Sequence, residues 1–519
     1  MKKSVKMNYI FNLGYQLLLI ALPLITTPYI SRVLGAKAIG TYSFTQSIVT
    51  YFTLLGCIGL GLYGQREIAY HQNDALQRTK ILYELILLKV ISIALSLGIY
   101  FIVFQTFDEY RSLFYIQMID IFANVFDINY FYQGLENFKK IIARNITVRF
   151  ISIICVFAFI KSPQDLPLYI LIQSLSLLFG NLSMWIALPN YIVKLDHVKL
   201  EIGKHVKPTL ILFFPQIAVS IYTVLDRTMI EVLTGNTEEI GYYEQAQKIV
   251  KLALTIVTSL GTVMLPRISN LFADHDMHKI KEYIYQSLHF VMMIAVPIMF
   301  GIMGIAPNLV PWFLSEKFMA SIPLVMMTAP IIVFIGISNV IGIQFLLPTR
   351  RQKAYTLSTI MGSIVNLICN LLLIPGLLSM GATIASVIAE ASVTAFQLYC
   401  VREDIDIKKV WKENRHYLLV GACMFGVVYA LSVFLTPSIV HTLFIISVGV
   451  VIYFVILFIL KDKYIYTILY YSYGKYVAHS CGSVCHLHCN CHRRYLRCDC
   501  VFQSIKYFFD DVRPSARPS

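Results

Sequence analysis

Charge is what this sequence has least of. Asp, Glu, Lys and Arg make up 14% of its 519 residues, hydrophobic residues make up 57%, and the mean hydropathy is +0.68. A water-soluble globule of this length cannot cover so much apolar surface, so the composition excludes one and leaves an integral membrane protein. The phosphate-cradling pattern GxxxxGK[ST] is also missing, which argues against ATP hydrolysis by this chain. Long hydrophilic connectors are missing too. The longest on one side is PNLVPWFLSEKFMAS, residues 307–321, and those on the other stay under about 25 residues, leaving little room for a sugar-polymerising or ligating site. No CxxC pair occurs, and no small-x-small cleavage site follows the first apolar run, so that run reads as an uncleaved span.

Long apolar runs are abundant. Residues 83–104 and 441–460 each reach the roughly 20 residues that carry a helix across about 30 Å of hydrocarbon, a length that excludes porin-type strands. Fourteen candidate spans follow, from one centred near residue 20 to one near 450. The span near 154 is short and the one near 220 carries Asp226, Arg227 and Glu231, so twelve or thirteen is the competing count. Charge supports fourteen. With the N-terminus inside, the cytoplasmic segments hold 25 Lys and Arg, and the opposite connectors hold five, or seven if Lys248 and Lys251 are included. An extra or missing helix would mix the two sets, so both termini are expected on the cytoplasmic side of the cell membrane. The same bias accounts for the net charge of +14, and no nucleic-acid partner is drawn from it.

A repeat organises the chain. At an offset of 201, Ile39-Gly40, Tyr42, Gln46 and Ile48-Val49 match Ile240-Gly241, Tyr243, Gln247 and Ile249-Val250, six identities in eleven positions, and Arg66 meets Arg267. Copies six helices apart keep the same orientation, which implies two parallel six-helix lobes related by a pseudo-two-fold axis along the membrane normal. The expected division is an N-terminal lobe over 1–200, a second lobe over 201–403, helices 13 and 14 over 404–465, and a cytoplasmic tail over 466–519. The glycines are expected to let neighbouring backbones approach and the tyrosines to sit at the outer interface.

The stretches LPLITTPYISRVLGAKAIGTYSF, LGLYGQREIA and LDRTMIEVL leading to EEIGYYEQAQKIV resemble the polysaccharide-transport, Wzx-like flippases of the MOP superfamily, over residues 1 to about 465. The resemblance implies a pair of lobes that carries an undecaprenyl-pyrophosphate-linked oligosaccharide repeat unit from the inner to the outer leaflet of a bacterial membrane. It implies polysaccharide polymerase and glycosyltransferases as partners, and no catalysis. A multidrug or small-cation antiporter of the same superfamily is the alternative.

Charges inside spans are costly, so they face a partner or a watery cavity. Arg227 is a candidate for the pyrophosphate, because a guanidinium holds two anionic oxygens at once, although Asp226 and Glu231 are close enough in sequence to neutralise it. Lys89 is a second candidate and also a partner for a neighbouring helix; Arg32 is a third and also able to snorkel to the interface. Asp120 and Asp127, seven apart, are expected on one helical face. With Asp226 and Glu390 they are the candidates for cavity lining or for coupling to an ion gradient or the membrane potential. Asn366 and Asn370 are expected to make interhelical hydrogen bonds. No cofactor is expected.

The tail departs from this pattern. CGSVCHLHCNCHRRYLRCDC, from Cys481, holds six of the eleven cysteines, and basic residues switch from 25 Lys and 12 Arg over 1–480 to one Lys and five Arg over 481–519. The spacing is wrong for a CxxC zinc site, and the shift in usage reads as a different coding origin.

Overall fold

The computed structural model describes residues 5–105, 109–195, 199–273 and 277–462; the side chains of 5–21, 138–139, 214–222, 259–267, 269–270 and 273 fall outside that description, and the Cys/His-rich tail lies outside it altogether. The side chain of Arg267, the repeat counterpart of Arg66, is among those excluded. The described chain is helical. In order come α1 (Val5–Cys57), α2 (Leu60–Tyr70), α3 (Ala75–Phe104), α4 (Arg111–Ala123), α5 (Asn129–Gly134), α6 (Phe138–Phe159), α7 (Leu166–Trp185) and α8 (Gly203–Thr234). After them come α9 (Thr237–Ala273), α10 (Met277–Phe313), α11 (Ser321–Thr328), α12 (Ile331–Ser338), α13 (Gln352–Cys400), α14 (Ile407–Phe434) and α15 (Ile439–Ile459).

Among the described residues, nine helices are long and apolar enough to cross a bilayer. Two of the nine are really pairs. Gly35, at φ 75°, breaks α1 into two legs, and Leu378, at φ 52°, does the same to α13. Adding α4, α8 and α9 makes the arrangement consistent with fourteen passes. The α8–α9 junction also turns at a glycine of positive φ: Gly235 takes φ 65° and its N–H reaches the Glu231 carbonyl at 2.7 Å. A left-handed residue at each place ends one leg and lets the chain turn back, a conformation glycine adopts without a Cβ penalty.

The two copies of the repeat pack on each other. A Cβ added to Gly40 would stand 1.6 Å from the Thr237 carbonyl oxygen, and one added to Gly241 would stand 2.0 Å from the Ala36 carbonyl oxygen. Thr237 is the repeat equivalent of Ala36, so the contact is reciprocal, as a two-fold relation requires. In a membrane, where lipid is as apolar as Leu, close approach through small residues is how helices associate. Around this crossing one core draws on both halves of the chain, with Phe44, Val49 and Phe114 against Ile230, Ile240 and Tyr243.

The repeat tyrosines pack against neighbouring helices. Tyr243 is 4% exposed and Tyr42 meets Tyr169 edge-on at 5.3 Å. The expected outer connector at 307–321 is also largely helix, since α10 runs through Pro307 and Pro311 to Phe313.

The start of α8 is pinned elsewhere. Glu84 of α3, fully buried, accepts from the Glu201 N–H at 2.7 Å, and pairs with His205 Nε2 at 2.7 Å and Lys204 Nζ at 3.1 Å, while His205 Nδ1 meets the Tyr63 hydroxyl at 2.7 Å. Lys204 and Lys80 hold the exposed Glu201 carboxyl below the ordinary carboxylate range. One helix is thus anchored to α2 and α3 at its start and to α9 and α13 near its end.

A cationic cavity between α1, α7 and α9

The LDRT segment on α8 sends successive side chains to three neighbours, as a rotation of about 100° per residue dictates. Asp226 turns toward α13 and α9. Its carboxylate accepts from Asn370 Nδ2 at 2.7 Å, from Ser386 Oγ at 2.7 Å and from the Tyr243 hydroxyl, and Asn370 also donates to Asn366 at 3.1 Å. Asp226 is 6% exposed, and three donors from two helices compensate its charge. Arg227 turns to α9, where its Nε lies 2.7 Å from Glu244 Oε2. Thr228 turns to the second leg of α1 and meets Ser47 at 2.8 Å and Tyr51 at 3.0 Å. Glu231, one turn on from Arg227, accepts from the Tyr110 hydroxyl at 2.8 Å. Neither Asp226 nor Glu231 is therefore the partner of Arg227; Glu244 is.

Beyond Glu244 the face of α9 opens on a cavity of about 360 Å³, lined by Pro23, Thr26, Thr27 and Ile30 of α1, Tyr169 of α7, and Gln245, Lys248, Lys251, Leu252 and Thr255 of α9. Lys248 Nζ lies 3.9 Å from Glu244 Oε1. Lys248 and Lys251 bring two ammonium groups to this wall, and the nearest carboxylate, Glu244, is shared with Arg227, so cations are in excess here. Inside a bilayer such an excess is expensive unless an anion or water meets it. Sequence reading used Lys248 and Lys251 only to weigh topology and passed over Glu244 and Gln245. The signal was present: 244, 248, 251 and 255 follow one another at three- and four-residue steps along a single helical face.

The other expected residues lie apart. Arg32 donates to the Trp312 carbonyl, so it links the first leg of α1 to the end of α10. Lys89 is 4% exposed; its ammonium donates to the Asp127 carbonyl at 2.8 Å and lies 3.9 Å from the Asp127 carboxylate. Asp120 and Asp127 do not share a helical face, contrary to expectation. α4 ends at Ala123, a 3₁₀ turn covers Asn124–Phe126, and Asp127 is extended at ψ 104° before α5 begins. The Lys89 ammonium on the Asp127 carbonyl and the Asp127 carboxylate on the Asn129 N–H at 3.0 Å satisfy backbone groups within that break. Asp120 is buried on α4, where Gln117 donates to Gln46 at 3.2 Å. Glu390 is half-buried on α13.

Comparison with known proteins places these features. The family model described as polysaccharide biosynthesis protein matches residues 5–272, and that described as MatE matches residues 212–372. A Shigella dysenteriae protein assigned as an O-antigen transporter is 23% identical over 386 residues, covering 73% of this chain and 96% of that protein. Among solved structures, the lipid II flippase MurJ in an inward closed conformation is similar with a TM-score of 0.68 at 18% identity, covering 88% of this chain and 100% of that one. An inward-facing multidrug resistance MATE family transporter of the MOP superfamily is similar with a TM-score of 0.56 at 13% identity, covering 75% of this chain and 99% of that one. At such identities these likenesses establish the fold alone.

Proposed function

Because the chain belongs to the polysaccharide biosynthesis protein family, we propose that it is a flippase that carries an undecaprenyl-pyrophosphate-linked oligosaccharide repeat unit from the inner to the outer leaflet of the bacterial cytoplasmic membrane. The observation that carries this reading is the cavity wall of Lys248 and Lys251, where cations outnumber the one neighbouring carboxylate they share with Arg227. A pyrophosphate linker is a dense anion, and it would meet the lysines as point charges in a low-dielectric site. Arg227 shares the Glu244 carboxylate and so keeps it from fully cancelling Lys248. The same lysines disfavour the alternative, because a drug or small cation entering here would be repelled.

Transport follows from the two-lobe arrangement. With both termini cytoplasmic, the Gly40–Gly241 crossing stands near the outer face and closes that side, so release requires α1 and α9 to part there. Asp226 is the group best placed to couple this movement to an ion gradient or the membrane potential, since its three hydrogen bonds come from both α9 and α13. Glycosyltransferases that build the unit and a polymerase that consumes it are the expected partners. The test is leaflet-resolved labelling of lipid-linked repeat units in a strain lacking the protein. Units trapped on the inner leaflet are expected, and normal outward display would refute the assignment.

A further inference from the structure

Gln245 stands out among the cavity residues. It is 1% exposed, it lines the cavity, and neither its Nε2 nor its Oε1 has a hydrogen-bond partner among the described residues. Buried carboxamides are almost always paired, because leaving both ends unmade costs more than replacing the side chain with an apolar one. A retained, unpaired carboxamide beside a cavity therefore points to a ligand that completes it. The ligand group must offer an acceptor and a donor together, since the amide carries both. A phosphate oxygen supplies only acceptors and is matched by the lysines about one and two turns further along α9.

We propose that Gln245 recognises the first sugar of the cargo, through neighbouring hydroxyls or an acetamido group, while Lys248 and Lys251 hold the phosphates. This rests on the flippase reading and adds to it a residue that selects the glycan. The surroundings fit a sugar. Tyr169 brings an aromatic ring with a polar tip, and Thr26 and Thr27 bring hydroxyls from the facing helix, of which Thr26 is already bonded to the Leu22 carbonyl at 3.0 Å and so retains acceptor capacity. A volume of 360 Å³ is near the lower end of ligand pockets, which run from about 300 to 1,000 Å³. It accommodates a linker and the sugar next to it, and not a whole repeat unit, so recognition here concerns the sugar common to every unit the protein carries.

The experiment measures binding to the full chain in lipid nanodiscs with three probes: undecaprenyl pyrophosphate, the same lipid bearing a single glucose, and the same lipid bearing a single N-acetylglucosamine. The wild-type protein should bind at least one sugar-bearing probe about tenfold more tightly than the bare lipid, the increment of one or two hydrogen bonds. Gln245→Ala should erase that increment, and Gln245→Glu should change which sugar is preferred, with affinity for the bare lipid serving as the measure of folding. Lys248→Ala with Lys251→Ala should weaken all three probes together. A wild-type protein that binds sugar-bearing and bare lipid equally, or a Gln245→Ala variant that keeps the increment or loses affinity for all probes alike, overturns the assignment of Gln245. Failure of the wild type to bind any of the three overturns the flippase reading itself.

Discussion

Replacing Gly40 by Ala adds one carbon at the most crowded point of the fold. That carbon would lie 1.6 Å from the Thr237 carbonyl oxygen, 2.7 Å from its carbonyl carbon and 2.9 Å from the Gly241 nitrogen, all backbone atoms that cannot rotate aside. Restoring a separation of 3.0 Å, below which real Cβ atoms are essentially never found, requires α1 and α9 to move apart by about 1.4 Å. Overpacking of this kind costs about 1–3 kcal/mol, and 2 kcal/mol changes a population ratio by about 30-fold. The penalty falls only on states in which the helices cross here, so the variant should favour a state open at this side. In a background lacking the native cysteines, Thr26→Cys places a thiol in the cavity, and its labelling by a membrane-impermeant maleimide added outside reads the opening. Gly40→Ala should raise that rate by up to about 30-fold, and Gly61→Ala, whose added carbon meets nothing within 4 Å, should not. A Gly40→Ala protein labelled at the parent rate would refute the gating role of the crossing.

Three further outcomes are expected. Arg227→Ala leaves Glu244 without its guanidinium partner and should destabilise the protein by about 3 kcal/mol, read by thermal unfolding in detergent; Arg227→Ala combined with Glu244→Ala should recover most of it, and failure to recover would place the role of Arg227 outside that pair. Lys89→Met keeps the volume but removes the donor at the α4–α5 break and should cost about 2 kcal/mol in the same measurement, with unchanged stability counting against the capping account. Asp226→Asn keeps the size of the side chain but replaces one acceptor by a donor facing Tyr243, Ser386 or Asn370; export should lose its dependence on the ion gradient while the protein still reaches the membrane, and preserved dependence would exclude Asp226 from coupling.

Architecture was legible in the sequence because a membrane imposes simple rules: span length, the inside bias of Lys and Arg, and a repeat whose glycines have no cheaper explanation than close helix contact. The site was less legible. Arg227 could be recognised as costly, yet its partner sits on another helix, and only the α8–α9 turn at Gly235 brings Glu244 against it. Asp120 and Asp127 looked like neighbours because seven residues make two helical turns, and local sequence gave no warning that the helix stops at Ala123. Lys248 and Lys251 were read as topology markers because their distance from the membrane surface depends on where α9 starts, a boundary that apolar patterning blurs.

The most direct test of the central claim is a leaflet-resolved assay in proteoliposomes containing the purified protein and an undecaprenyl-pyrophosphate-linked oligosaccharide. The account predicts that the glycan becomes accessible on the far leaflet with the wild-type protein, and that Lys248→Ala with Lys251→Ala slows this at least tenfold at equal protein content. Equal rates for the wild type, the double variant and protein-free vesicles would contradict it.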